Sequence, residues 1–110
     1  MDEPSLELSC SELKQRLDAR EALLLVDCRE PEEHAIVRLG GSVLVPMAQV
    51  PGRLGELAAD GRPVVVYCHH GMRSLQAVRW LREQGLADAQ SLAGGIDAWS
   101  LEIDPAAPRY

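Results

Sequence analysis

Val64-Val65-Val66-Tyr67-Cys68-His69-His70-Gly71-Met72-Arg73-Ser74 is a short apolar run that ends on a cysteine, crosses a glycine-containing turn and opens an amphipathic segment. Four successive β-branched or aromatic residues suit a strand buried on both faces, the kind found in the middle of a parallel sheet. Cys68 then stands at the carboxyl end of that strand. From Ser74 to Gln84 the apolar residues Leu75, Val78 and Leu81 recur at helical spacing, with Ser74 as N-cap. Gly85 is placed to end this helix, and Leu86 to fold back on Leu81. The stretch reads as strand, anion-binding loop and helix, with Cys68 as candidate nucleophile. Unpaired backbone N–H groups and the positive end of the helix dipole favour an anion at such a junction. The anion is either the thiolate of Cys68 or a small oxyanion, and Arg73 adds a full positive charge in the same place.

Outward from this centre, the remaining segments alternate in the manner of an α/β chain. Leu6 to Leu8 form a short first strand. Ser9-Cys10-Ser11-Glu12 has the form of a capping box, with Ser9 as N-cap and Glu12 reaching back to it. Cys10, Leu13 and Leu17 share one face of the helix that follows, so Cys10 reads as a small buried hydrophobe. Ala22 to Val26 is a second buried strand, ending in Asp27-Cys28-Arg29-Glu30-Pro31-Glu32-Glu33. Pro31 starts a short acidic helix. Ligands of open α/β sheets bind beyond the carboxyl ends of strands, so Asp27 and Arg29 are candidates for a place beside the Cys68 loop. Their spacing favours a structural ion pair or a cap. Cys28 follows a buried strand with no adjacent base and reads as packed, not reactive.

Gly40-Gly41 marks a turn before a third strand, Ser42 to Val45, stopped by Pro46. Arg38, just before that turn, points toward the site or into solvent. Gln49 to Leu57 reads as a short helix with Val50, Leu54 and Leu57 inward, weakened by Pro51, Gly52 and Gly55. Asp60-Gly61-Arg62-Pro63 is the turn that launches the central strand. Ala89 to Leu92 is a weak strand, and Gly94-Gly95 precedes a helical turn in which Trp99 is a core or lid residue. The tail from Ile103 to Tyr110 reads as irregular. No internal repeat or low-complexity tract appears.

The 110 residues fit one domain spanning 1–110. A hydrophobic content of 46% with 25% charged residues is that of a globular chain. The formal net charge of -6 argues against nucleic-acid or membrane-surface partners, which want a basic face. It leaves an anionic small molecule open, because local charge decides contact. Three cysteines, far apart and without a CxxC pair, indicate neither a disulfide framework nor a zinc ribbon and fit a reducing cytoplasm. The acidic start, Met1-Asp2-Glu3-Pro4, leads into no apolar leader, and no apolar run is long enough to span a bilayer.

A thiolate at Cys68, stabilised by loop amides, helix dipole and Arg73, needs no separate general base. His69 and His70 are adjacent, so their side chains are expected to diverge. They serve as hydrogen-bond donors or shape the loop, and no metal or other cofactor is called for. Two reactions use such a thiolate: phosphoryl transfer through a cysteinyl phosphate and sulfur transfer through a persulfide. Cysteine phosphatases use a Cys-x5-Arg loop. Here Cys68 to Arg73 is Cys-x4-Arg, and Ser74 occupies the phosphatase arginine position. The tighter ring suits one sulfane sulfur on Cys68 better than a phosphoryl group, which leaves a phosphatase or arsenate reductase as the lesser enzyme reading.

Four separated motifs carry a resemblance to a known family. Asp27 to Glu33 is similar to Asp-x-Arg-Glu-Pro-x-Glu, Gly41-Ser42-Val43-Leu44-Val45-Pro46 to Gly-Ala-x-x-(Ile/Val)-Pro, Cys68 to Arg73 to a six-residue active loop, and Gly94 to Trp99 to Gly-Gly-x-x-x-Trp. Together, in this order, they resemble the single-domain rhodaneses, which are sulfurtransferases, over nearly the whole chain. The resemblance implies an α/β fold with a central five-stranded parallel sheet flanked by helices on both faces. It also implies a Cys68 persulfide formed from thiosulfate or another persulfide donor, with His69, His70, Gly71, Met72 and Arg73 around the substrate and Arg73 binding the anionic donor. Asp27, Arg29, Arg38 and Ser74 stand as a possible surrounding layer. The tail is similar to that of rhodanese domains fused to enzymes that adenylate sulfur carriers, which implies a sulfur-carrier or thiol protein as partner. Two departures bear on the donor. Arg38 replaces a usual histidine, and His69 stands where thiosulfate-using members often have arginine, so a persulfide-carrying module with little thiosulfate turnover is the alternative.

Overall fold

The computed structural model describes residues 3–110, so the acidic start at Met1 and Asp2 lies outside the described residues. Five strands form one sheet: β1 (Glu7–Leu8), β2 (Leu24–Asp27), β3 (Val43–Leu44), β4 (Val64–Tyr67) and β5 (Gln90–Leu92). Their order is β1-β5-β4-β2-β3, and every neighbouring pair is parallel. The helices are α1 (Cys10–Asp18), α2 (Pro31–Ile36), α3 (Leu54–Asp60), α4 (Met72–Glu83) and α5 (Gly95–Glu102).

Alternation along the central strands feeds two separate cores. Leu24, Val26 and Cys28 point to one face with Val64, Val66 and Cys68, and meet Leu57 of α3 and Ala77, Val78 and Leu81 of α4. Leu23, Leu25, Val65 and Tyr67 point to the other, against Cys10 and Leu13 of α1 and Ile96 of α5. All four residues of β4 are buried, which is why its sequence reads as an unbroken apolar run.

Local signals set several boundaries. Ser9 Oγ accepts from the Glu12 N–H while the Glu12 carboxylate accepts from the Ser9 N–H, closing the capping box of α1. At the end of α4 the Gly85 N–H donates to the Arg82 carbonyl and the Leu86 N–H to the Leu81 carbonyl. Gly85 has φ 103°, which completes a Schellman cap. The segment from Gln49 to Leu57 differs from its sequence reading. Pro51 and Gly52 break it into two 3-10 turns, Met47–Gln49 and Pro51–Arg53, before α3 begins at Leu54. Val50 and Leu57 are nonetheless buried as expected.

The start of α4 also differs. The helix begins at Met72, its N-cap is Gly71 at φ 99°, and Ser74 lies buried inside the first turn. The glycine supplies a left-handed residue that a serine cap would not. Gly94 and Gly95, at φ 77° and 62°, bring the amino end of α5 against this turn. The Ile96 N–H donates to the Cys68 carbonyl at 2.9 Å and the Asp97 N–H to the His69 carbonyl at 3.1 Å. A β-carbon on Gly95 would collide with both carbonyls. Gly95→Ala should therefore lose about 2–4 kcal/mol in chemical denaturation, from backbone strain and overpacking together. Gly55→Ala in α3, where nothing lies within 4 Å of the added carbon, should stay within about 1 kcal/mol of the parent.

Candidate active site

The carboxyl end of β4 delivers Cys68 into a turn closed by α4, and the side chain is 1% exposed. Its sulfur is surrounded by donors. The Gly71 N–H reaches Sγ at 3.0 Å, the Ser74 N–H at 3.4 Å, and the Ser74 hydroxyl lies 3.4 Å away. Behind Ser74, Ser91 Oγ sits 2.7 Å from Ser74 Oγ. With the Ser74 proton on sulfur, Ser91 donates to Ser74, giving a relay from the buried floor of β5 to Cys68. The amides of His69, His70, Met72 and Arg73 find no acceptor among the described residues.

Cys28 lies beside Cys68. Asp27 pairs with Tyr67 across β2 and β4, and the Cys28 N–H donates to the Tyr67 carbonyl at 3.1 Å. Both cysteines then belong to the same core face. The Cys28 thiol is the strongest influence holding Cys68 well below the ordinary thiol range; burial opposes it, and the Ser74 hydroxyl with the Ser74 and Gly71 amides reinforces it. The pair thus keeps its proton on Cys28, whose thiol is pushed far up by Cys68 and by burial. Cys28 is packed, as its sequence context indicates, and its thiol also faces the candidate nucleophile. Cys10, on the opposite face of the sheet, is pushed up to about 11 by burial and the charge of Glu102.

Around the loop, charges are matched one to one. Asp27 and Arg29 are fully buried and form the structural ion pair that spacing favours. Arg29 Nε and Nη2 donate to the two Asp27 oxygens at 2.9 and 2.7 Å. Burial works against a charged Asp27, but the bonds from Arg29 and His34 hold its carboxyl below the usual range. Arg73 does not stand free toward an anionic donor. It grips Glu33 of α2 through both terminal nitrogens at 2.8 and 3.0 Å, which, with Tyr110, brings Glu33 down to about 2 against the cost of burial. Arg109 is spent on Asp97 at 2.9 Å. Arg38 is exposed and lines a surface cavity with Val37, Trp99, Asp104 and Ala107; no hydrogen bond joins it to the loop among the described residues.

The two histidines do not diverge. Their rings stack with centroids 3.9 Å apart, and Tyr110 stacks on His69 at 3.9 Å and 8°. Gly71, at φ 99°, lies against the amino end of α5, where a β-carbon would meet the Gly94 backbone. Burial lowers the His69 pKa first, with His70 adding to it, and His69 Nε2 is buried without a partner among the described residues. A ligand nitrogen from each ring and an Asp97 oxygen lie within 4.8 Å of one another. The Asp97 carboxylate already holds Arg109, a cation that competes with any metal for it. Met72 is 79% exposed at the rim.

The local sequence does not mark three participants as site residues. Ser91 is one polar residue in a short weak strand, Glu33 closes the Asp27–Glu33 motif but stands there as one acid of an acidic helix, and Tyr110 is the last residue of a tail that reads as irregular. Tyr110 donates to Glu33 at 2.6 Å and accepts from Arg29 at 2.7 Å. It thereby joins the buried ion pair to the clamp on Arg73. Only a tertiary view brings these residues together.

The profile of the rhodanese-like domain matches residues 9–102, and the chain belongs to that family. A sulfurtransferase of Allochromatium vinosum is 42% identical over 94 residues, 86% of this chain and 87% of that one. The adenylyltransferase and sulfurtransferase MOCS3-2 of Zea mays is 34% identical over 96% of this chain, which spans 23% of that protein. The human single-domain sulfurtransferase TSTD1 superposes with a TM-score of 0.78 at 26% identity, over 90% of this chain and 98% of that one. These relationships support sulfurtransferase activity at the level of the family.

Because the donors on Sγ favour the charged form, the Cys68 thiolate persists as pH falls below the ordinary thiol range, and protonation is deferred to acid pH. Removing one donor raises the midpoint. In Ser74→Ala the thiolate absorbance of Cys68, followed by ultraviolet titration, should move up by about 1–2 pH units, the equivalent of one hydrogen bond to a charged group. An unmoved midpoint would remove Ser74 from the set of donors.

Proposed function

We propose that the protein is a sulfurtransferase that works by double displacement through a persulfide on Cys68. The observation that carries this reading is the division of the loop amides. Gly71 and Ser74 already solvate Sγ, while those of His69, His70, Met72 and Arg73 remain free among the described residues. Free amides at a helix amino-terminus suit one additional anionic atom. The thiolate attacks the outer sulfur of a donor, the donor's S–S bond breaks, and its remainder leaves as sulfite or a thiolate. The outer sulfur of the new persulfide takes the negative charge and the free amides. A thiophilic acceptor then attacks that sulfur, and Cys68 departs as the thiolate its neighbours favour.

The matched charges bear on which donor is used. Thiosulfate is a dianion, and Arg29, Arg73 and Arg109 each already hold a carboxylate. His69, whose pKa is lowered, offers a neutral ring in place of a cation. This favours a donor delivered as a persulfide, on a protein or a thiol, over free thiosulfate, and supports a role in handing sulfur to a carrier or thiol protein.

With cyanide as acceptor, Cys68→Ser should lose thiocyanate formation entirely, and the wild type should gain one sulfur atom in intact mass that cyanide removes. Full activity in Cys68→Ser would end the proposal. Donor choice is tested in Glu33→Gln, which releases Arg73. Its KM for thiosulfate should fall by at least about threefold relative to wild type, as expected for one freed, partly exposed charge, with kcat/KM for a protein persulfide donor changed less. An unaltered KM would mean that pairing of Arg73 is not what limits thiosulfate.

A further inference from the structure

The sulfur-transfer scheme leaves one buried thiol beside the reactive sulfur without a chemical step of its own. Cys28 and Cys68 directly follow the register partners Asp27 and Tyr67 on neighbouring parallel strands. Their side chains share one core face. Adjacent strands lie about 4.8 Å apart, inside the roughly 4.4–6.8 Å Cα separation that a disulfide spans. Cys10 is on the other face, with its thiol directed to the Ala93 carbonyl, so the arrangement selects one pair out of three free cysteines.

We infer that Cys28 is a resolving thiol for Cys68, and that a hydroperoxide converts the pair into an intrachain Cys28–Cys68 disulfide across β2 and β4. The Cys68 thiolate attacks the terminal oxygen of the hydroperoxide. The O–O bond breaks, the alkoxide leaves and is protonated to the alcohol, and Cys68 becomes a sulfenic acid. Cys28 sulfur then attacks Cys68 Sγ. The S–S bond forms, the S–O bond breaks, and hydroxide leaves with the Cys28 proton as water. Two thiols are oxidised and one peroxide is reduced to an alcohol and water. A small dithiol restores both cysteines by exchange.

The fold favours the second step once the first has occurred. In the reduced protein, Cys68 charge and burial keep Cys28 protonated and inert. Sulfenic acid formation removes that charge, and so lowers the cost of drawing the Cys28 proton away. The two cysteines directly follow paired residues of neighbouring strands and share one core face, so closure requires no change of strand register. Further oxidation of Cys68 to the sulfinic acid, which dithiols do not reverse, competes with this closure. The inference depends on a thiolate at Cys68 and not on sulfur transfer, so it stands or falls separately from the proposed activity.

The test uses the full reduced chain and hydrogen peroxide. Intact mass should drop by a pair of hydrogens. Peptide mapping without reductant should link the Cys28 and Cys68 peptides while Cys10 remains alkylatable, and dithiothreitol should restore the starting mass. Cys28→Ala, or Cys28→Val where volume must be kept, should instead gain oxygen at Cys68 that dithiothreitol does not remove after excess peroxide. The wild-type map decides even where neither variant folds. Oxygen on Cys68 with Cys28 still alkylatable, or a crosslink through Cys10, would overturn the inference.

Discussion

A negative charge on the sulfur of Cys68, a residue 1% exposed, must be solvated by the protein itself, and that requirement organises the molecule. Water is replaced by the Gly71 and Ser74 amides, the Ser74 hydroxyl and the Cys28 thiol. Each belongs to a different part of the construction. The amides exist as free donors because a left-handed glycine starts α4 early, the hydroxyl is aimed by Ser91 of β5, and the neighbouring thiol arrives through the register of β2 against β4. The parallel sheet brings those strand ends to one edge. No single element makes the site.

A second layer holds charged groups in pairs. Asp27 and Arg29 are buried together, Tyr110 bridges Arg29 to Glu33, and Glu33 fixes Arg73. Such a chain of bonds is costly to interrupt, because removal of one member leaves its partner's charge unmatched in a poorly solvated setting. It also gives the loop a nearly neutral surround despite several arginines. The electrostatics of the site are therefore those of directed N–H dipoles more than of net charge.

What the sequence disclosed follows the range of the interaction. The Ser9-Glu12 capping box, the Gly85 cap and the buried run from Val64 to Tyr67 are determined within a few residues, and each is found where its pattern indicates. The Asp27-Arg29 pair, two residues apart, was legible for the same reason. Ser74 misled because a serine before an amphipathic run satisfies the rule for an N-cap, whereas Gly71 supplies the backbone conformation that the turn needs. His69 and His70 stack because that turn and Tyr110 override the tendency of adjacent side chains to splay. Tyr110, Glu33 and Ser91 meet the loop across sequence separations that no local pattern records. The fold and the position of Cys68 were thus visible in the sequence; the partners of Arg73 were not.

The contact between α5 and the loop has one more consequence. Backbone groups of Ile96 and Asp97 hold the carbonyls of Cys68 and His69, and Gly95 leaves no space for a side chain between them. The outline of the ring is therefore encoded in a segment some thirty residues downstream of the side chains that decorate it. His70 and Met72 face solvent and contribute little to that outline. Such a separation makes the scaffold a template: a substitution at the rim leaves the backbone around sulfur in place, whereas one at Gly94 or Gly95 displaces it.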